Sequence, residues 1–407
     1  MTRPPAPATA LLGLITLAFI SLGLPDGSFG VAWPRMHLDL GLPLGVAGVL
    51  TTSVTLLAGV SGFLSGRILA RCGTGPVVAG SCFLTGAALL VAAGAQGAVG
   101  LAAAGVCLGC GAGAVDAGLN GYVARHYTVR HMNWLHACWG MGAAAGPLAV
   151  GWALAAGHGW RLAYVVLGGL QLSLAVALWL ARPLWIAVPA HDPAARRRHA
   201  VNGPPLDVRS SAGWISPALL FLYAALELSA GVWAASVLVV GRGATPGDAA
   251  FATAAYYGAI TGGRLLAGWL GGERDPGQVL PAAVLLALAG AVAFALAPAP
   301  WVATAGLLAL GLGFAPLYPT LMHEIPARFR PEDTPVLVAR QTGAAYLGAA
   351  GVPAAAGLLA GQHLSLIPWL LAGGVLTLLA GLRFLEARTG ARRAALASAV
   401  VTGRLEK

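Results

Sequence analysis

Charge is scarce in this sequence: 14 Asp and Glu and 24 Lys and Arg among 407 residues leave 9% of the chain charged. Globular domains carry about 25%, and with 58% of positions hydrophobic the shortage excludes an ordinary soluble protein. The chain reads as a polytopic membrane protein. Cysteine is scarce too, and all five (Cys72, Cys82, Cys107, Cys110, Cys138) fall in or beside apolar runs. Cys107-Leu-Gly-Cys110 has the spacing of a metal or redox pair, but no second pair completes a site, so packing of small apolar thiols is the better reading. Gly-x-Ser-x-Gly, His-Glu-x-x-His and a phosphate-cradling loop are all missing, which argues against an enzyme. No soluble cofactor and no metal are implied.

What the chain has in abundance is long hydrophobic runs, each near the roughly 20 residues a helix needs to span hydrocarbon. Twelve are predicted. Six lie in the first half: Ala10 to Pro34, Leu44 to Ala70, Val77 to Ala95, Val99 to Tyr122, Trp134 to Ala156 and Ala163 to Ala181. Six more follow: Ile215 to Val240, Ala249 to Leu270, Val279 to Ala297, Val302 to Ile325, Val336 to Ala360 and Leu364 to Leu385. The expected organisation is a bundle over 1–188, a basic linker over 189–213, a second bundle over 214–387 and a basic tail over 388–407.

The net charge of +10 would suggest nucleic acid in a soluble protein. Here its distribution is a topology signal. With both termini cytoplasmic, only Arg35, Arg161 and Arg242 fall outside. The clusters Arg67/Arg71, Arg125/Arg130, Arg196/Arg197/Arg198, Arg328/Arg330 and Arg388/Arg392/Arg393 fall inside, as the positive-inside rule demands. A multi-pass protein of the inner (cytoplasmic) membrane is expected, monomeric, with no nucleic-acid partner. The N-terminal run leads straight into Asp26 and Trp33 without a small-residue cleavage site, so it reads as a retained helix.

The two halves repeat. Asp26-Gly27-Ser28-Phe29-Gly30-Val31 returns as Glu227-Leu228-Ser229-Ala230-Gly231-Val232, and Gly66-Arg67-Ile68-Leu69-Ala70 returns as Gly263-Arg264-Leu265-Leu266-Ala267. Gly109-Cys110-Gly111 corresponds to Gly311-Leu312-Gly313, and Gly146-Pro147 lies near the counterpart of Gly351-Val352-Pro353. Duplicated six-helix halves enclosing a midplane site are a transporter arrangement, which works by rocking one half against the other. The 58 Gly suit it, because small residues let membrane helices approach closely.

Six plus six helices, the Gly-Arg turns after helices two and eight and the central basic loop resemble the major facilitator superfamily. More narrowly, Gly23-Leu24-Pro25-Asp26-Gly27 with Gly30-Val31-Ala32-Trp33-Pro34, Val115-Asp116-Ala117-Gly118-Leu119-Asn120-Gly121-Tyr122-Val123, Asn133-Trp134-Leu135-His136-Ala137 and Gly263-Arg264-Leu265-Leu266-Ala267-Gly268 resemble its fucose-permease-like branch. The resemblance implies an all-α fold and sugar import coupled to protons through acids in helices one and four, here Asp26 and Asp116. One departure is visible: the loop after helix two usually carries an Asp where this chain has Ala70, so the gating salt bridge must be weakened or rebuilt.

Three acids lie well inside predicted helices: Asp26, Asp116 and Glu227. Acids in hydrocarbon are costly and mark functional sites by default. With about 1.5 Å of rise per residue, they stand at staggered depths, which suits proton coupling by alternating access. The bland alternative for Asp26 is a helix-break cap, since Pro25-Asp26-Gly27 is turn-like. Asp116 and Asn120 share a helix face, as do Asn133, His136 and Gly140. His136 could pair with an Asp and form a proton-release station; otherwise Asn133 and His136 mark the wet end of their helix. Glu227 carries substrate, coupling ion or a bridge between halves, and is also what a cation-exporting antiporter would have. The expected substrate contacts are Asn120, Asn133, His136, Trp139, Tyr318 and Gln341, with Trp139 and Tyr318 stacking on a sugar ring. Arg67, Arg71 and Arg264 are expected to hold a cytoplasmic gate without touching substrate. Two functions fit: proton-coupled uptake of a monosaccharide, or proton-driven efflux of amphiphilic compounds. Sodium coupling stays open, because a carboxylate with nearby carbonyls and Asn binds either ion.

Overall fold

In a computed structural model the chain is all-helical, with residues 6–126, 129–187, 209–270, 276–323, 325, 329 and 334–401 described. Most of the expected linker, including Arg196, Arg197 and Arg198, lies outside those residues, as do Arg328 and Arg330.

The first half consists of α1 (Ala6–Asp39), α2 (Val46–Cys72), α3 (Thr74–Gly94), α4 (Ala98–His126), α5 (Val129–Ala155) and α6 (Gly159–Leu180), followed by a single turn at Leu184–Ala187. The second half consists of α7 (Ser211–Arg242), α8 (Pro246–Leu270), α9 (Pro276–Leu296), α10 (Pro300–Phe314, resumed as Leu317–His323), α11 (Thr334–His363) and α12 (Ile367–Val401). Among the described residues eleven of these are long and apolar enough to cross a membrane. The twelfth, α8, has the length, but Tyr256, Tyr257 and Arg264 dilute its apolar content.

Two expectations from sequence are revised. The run Val302 to Ile325 is not one helix: Pro316 has no N–H to continue the ladder, so α10 stops at Phe314 and restarts at Leu317. Conversely, Pro25-Asp26-Gly27 does not break α1, which stays helical from Ala6 to Asp39 through both Pro25 and Pro34. Membrane helices tolerate such prolines because neighbours satisfy the freed backbone groups. α12 also runs on to Val401, through most of the expected tail.

Packing repeats as the sequence does. α1 packs on α5, α2 on α4, and α3 on α4 and α6; α7 likewise packs on α11, α8 on α10, and α9 on α10 and α12. The bundles therefore share one topology and meet where α1 faces α7, α2 faces α11 and α5 faces α8. Glycine makes the closest approaches possible. A methyl group at Gly23 would overlap the Trp139 carbonyl, and one at Gly142 the Ile20 carbonyl, so α1 and α5 touch backbone to backbone.

Chain direction puts both termini on one face. On the opposite face the halves are closed on each other. A methyl at Gly30 would run into Gly231 O, its own repeat counterpart, one at Gly45 into Gly357 O, and one at Gly151 into the Ala250 methyl. The Thr52 hydroxyl donates across the same seam to Ala350 O.

The three arginines on this closed face are all engaged. Arg35 pairs with Asp39 at 2.9 Å, and Asp39 also accepts the Trp160 indole N–H at 3.0 Å. Arg161 donates to the Ala93 and Ala95 carbonyls at the end of α3, at 2.6 and 2.8 Å. Arg242 does the same for α9, at Phe294 O (2.6 Å) and Ala295 O (3.2 Å). Cations satisfy orphan carbonyls at helix C-termini and complement the dipole there. Hydrogen bonds from a charged donor contribute about 1.5–3 kcal/mol, so Arg161→Ala should destabilise the folded protein by roughly that amount, read as a lowered thermal midpoint in detergent. Arg242→Ala should behave likewise.

Candidate functional site

The polar residues inside the apolar bundle converge between the two halves, on the terminal side of the closed seam. The α1–α5 contact at Gly23 and Gly142 sets the first pair: the Trp139 indole N–H donates to Asp26 Oδ2 at 3.1 Å. Asp26 is enclosed by protein yet open to water-sized space, because it faces an internal cavity of about 110 Å³. Its side chain satisfies an indole, not a backbone N–H, so the capping alternative is not what the structure shows.

The second group is held by α4 and α11. Asp116 accepts from Asn120 Nδ2 at 2.8 Å, the one-turn spacing read from sequence, and from the Tyr346 hydroxyl of the other half at 3.5 Å. The third lies in the second half. Arg264 pairs with Glu227 at 3.3 Å and donates to the Tyr223 hydroxyl at 2.9 Å, while the Tyr256 hydroxyl donates to the Glu227 carbonyl at 2.9 Å. The side chains of Arg264 and Glu227 are 17% and 15% exposed, so this is a largely enclosed ion pair. Asp26 lies near enough to both Asp116 and Glu227 for their charges to interact.

Arg264 was expected at a helix end, as the counterpart of Arg67. It instead reaches into the site, its guanidinium carbon 6.0 Å from the centre of the Trp139 ring. Arg67 and Arg71 are exposed near the terminal end of α2, so the repeated arginines occupy unlike surroundings. His136 is exposed, with its ring edge-on to Phe19 at 5.5 Å. Its charged neighbour is Arg264, and no hydrogen bond among the described residues joins it to Asp116 as a proton-release station would require. Tyr318 is half-buried, hydrogen-bonded to Thr342 and close to Asp116, Arg264 and Glu227. Gln341 is fully buried: its Nε2 donates to Ser216 Oγ on α7, which ties α11 to α7, while its Oε1 has no hydrogen-bond partner among the described residues. The side chain of Asn133 falls outside the described residues.

Tyr257, Thr342 and Tyr346 belong to this cluster and were not singled out from sequence. A signal existed: Tyr257, Thr261 and Arg264 recur at i, i+4 and i+7 on α8, and Thr342 and Tyr346 at i and i+4 on α11, one polar stripe on each helix.

Removing one partner of an enclosed ion pair leaves the other uncompensated, at about 3–5 kcal/mol when burial is complete. Glu227→Gln should therefore lower the thermal midpoint in detergent by somewhat less than that implies, given the pair's partial exposure. The double variant Glu227→Gln with Arg264→Gln should recover most of the loss.

The description Major Facilitator Superfamily matches residues 15–334. No curated protein matches the sequence. Among solved structures, a bacterial homologue of the human lysosomal transporter Spinster, described as inward-facing and occupied, superposes with a TM-score of 0.70 at 15% identity, covering 98% of both chains. The nucleoside transporter NupG gives 0.68 at 11% identity, over 92% of this chain and 98% of its own. The human organic anion transporter MFSD10 gives 0.63 at 15%, over 93% and 100%. At these identities the likeness is one of fold, and it covers both six-helix halves. The family match takes in α1 to α10 with their acids and the Arg264 pair, and it makes this chain a member of the major facilitator superfamily, whose members are transporters.

Proposed function

We propose that this chain is a proton-coupled secondary transporter for a small polar solute of monosaccharide size, working by alternating access. The observation that carries this reading is that three membrane-embedded acids, from α1, α4 and α7, lie near enough for the charge of Asp26 to interact with those of Asp116 and Glu227, with Asp116 and Glu227 each held by polar partners. Glu227 already has Arg264 as counter-charge. Among the described residues Asp26 and Asp116 meet neutral donors, which makes them the carriers of a mobile proton in this reading. A carboxyl enclosed in protein binds a proton more readily than one meeting water, so exposure to one side and then the other turns such a group into a coupling device. Sodium is the alternative coupling ion.

The sugar assignment rests on the fucose-permease resemblance and on the lining: an indole face at Trp139, with Asn120, Tyr318 and Tyr346 offering neutral donors and acceptors. Arg264 joins the substrate contacts in this reading. The positive-inside distribution supports an inner-membrane protein with the terminal face cytoplasmic, and hence a seam closed toward the outside. Halves over 1–188 and 214–387 would move about the cytoplasmic linker, within a single chain.

A second reading, efflux of amphiphilic compounds, is favoured by the cavity beside Asp26. Its walls are mostly apolar, with Phe29 and Met36 of α1, Leu50 and Val54 of α2 and Ala104 of α4, and Thr51, Thr55 and Tyr164 add few polar groups, which would leave most sugar hydroxyls without partners but would suit an apolar tail.

Proteoliposomes carrying an internal pH dye decide between the two. A monosaccharide from a panel is expected to acidify the interior when added outside. In Asp116→Asn the signal should fall by about 10- to 100-fold, the equivalent of one charge-assisted hydrogen bond. Interior alkalinisation on adding lipophilic cations, with no response to any sugar, would overturn the sugar reading. Ala104→Phe, which fills the apolar cavity, should leave a monosaccharide signal within about twofold; selective loss of a cation signal would place the cation in that cavity.

A further inference from the structure

We propose that Trp139 is a positioning residue that carries the protonation state of Asp26 to the contact between the two halves; the inference rests on the proton-coupled reading above. Trp139 belongs to α5 of the first half, and its indole N–H is committed to Asp26 Oδ2 at 3.1 Å. The ring packs in part on the apolar core of its own half, and it also reaches α8 of the second half. The Arg264 guanidinium carbon stands 6.0 Å from the ring centre, and Tyr257 packs edge-on at 6.4 Å. The next residue, Gly140, is pressed so closely on Thr261 that a methyl group there would collide with the Thr261 hydroxyl. One side chain therefore touches a titratable acid on α1 and the cation of the α7–α8 ion pair, at a seam the transport cycle has to rearrange.

The consequence follows from hydrogen-bond strength. An ionised carboxylate accepts the indole N–H in a charge-assisted bond roughly twice as strong as a neutral one. While Asp26 is ionised, that bond fixes the ring, and the ring holds its place against Arg264. A proton on Asp26 weakens the bond, frees the indole and loosens the Trp139 face of the α5–α8 contact. The charged and titratable groups facing this pair are Asp116 from α4, His136 from α5, Glu227 from α7, Arg264 and Tyr257 from α8 and Tyr346 from α11. The Arg264 charge is held in its pair with Glu227, so Asp26 is the group whose titration moves the indole.

Two measurements on the full chain in nanodiscs test this with protons as the only ligand. The protein is labelled with 5-fluorotryptophan, and the Trp139 resonance is assigned from its loss in Trp139→Phe, or in Trp139→Tyr where the first variant folds poorly. The resonance should shift in one step as pH changes, and the shift should vanish in Asp26→Asn. Hydrogen exchange of the α8 amides around Tyr256 to Leu266, corrected for the intrinsic pH dependence, should quicken on acidification in the unaltered protein. In Trp139→Phe, which keeps an aromatic ring beside Arg264 but has no N–H to give Asp26, it should not respond. A Trp139 resonance indifferent to pH, one that titrates unchanged in Asp26→Asn, or an α8 response equal in the Trp139 variant would each overturn the proposal. A titrating resonance in a protein that moves no protons with any compound separates failure of the transport reading from failure of this one.

Discussion

A charge enclosed away from water must find an opposite charge, a hydrogen-bond donor or a cavity that readmits water, and the interior of this protein is arranged around that requirement. Glu227 meets it with Arg264, Asp116 with Asn120 and Tyr346, and Asp26 with Trp139 and an internal cavity. The answers differ in kind. The first acid meets a full counter-charge, the other two neutral donors. The asymmetry arises between duplicated halves, since Glu227 is the repeat counterpart of Asp26. One copy of the acid has become part of an ion pair and the other has not.

Much of this was legible in the sequence, for reasons particular to each residue. Asp26, Asp116 and Glu227 stood out because acids are rare in apolar runs, and the Asp116–Asn120 bond followed from their four-residue spacing. The duplicated topology was legible in the repeated Gly-Arg and acid-Ser-Gly-Val stretches. Arg264 was placed wrongly because its matching sequence, around Arg67, does lie near a helix end. Identity of motif carried an assumption about depth, while the fold let one arginine reach solvent and drew the other inward to Glu227. Gln341 was assigned to substrate as a neutral polar group at the counterpart of His136, yet its partner, Ser216, comes from a helix more than a hundred residues earlier, a pairing that only tertiary packing reveals. The break at Pro316 and the continuity through Pro25 show the same limit. Whether a proline stops a helix depends on what neighbouring helices offer the freed carbonyl.

Glycine sets the scale of the site. Backbone contact between α1 and α5 brings an indole on one helix to a carboxylate on the other. Larger side chains at Gly23 or Gly142 would separate the helices by more than the Trp139–Asp26 bond tolerates. Such a chain obtains its polar geometry from residues with no side chains at all, and the abundance of glycine is thus connected to chemistry as well as to helix packing.

The arginine caps on the closed face have a kinetic consequence. Arg161 clamps α6 to α3 and Arg242 clamps α7 to α9, so each clamp stays within its own half, and Arg35 pairs within α1. Among the described residues no ion pair crosses the seam on that face; what crosses it is glycine backbone in close contact, apolar side chains and the hydroxyl of Thr52. Each half can then swing away as a stiff unit with its helix ends still tied. The barrier to parting the seam then holds no salt-bridge contribution among the described residues, and the rate of opening on that side depends only weakly on ionic strength.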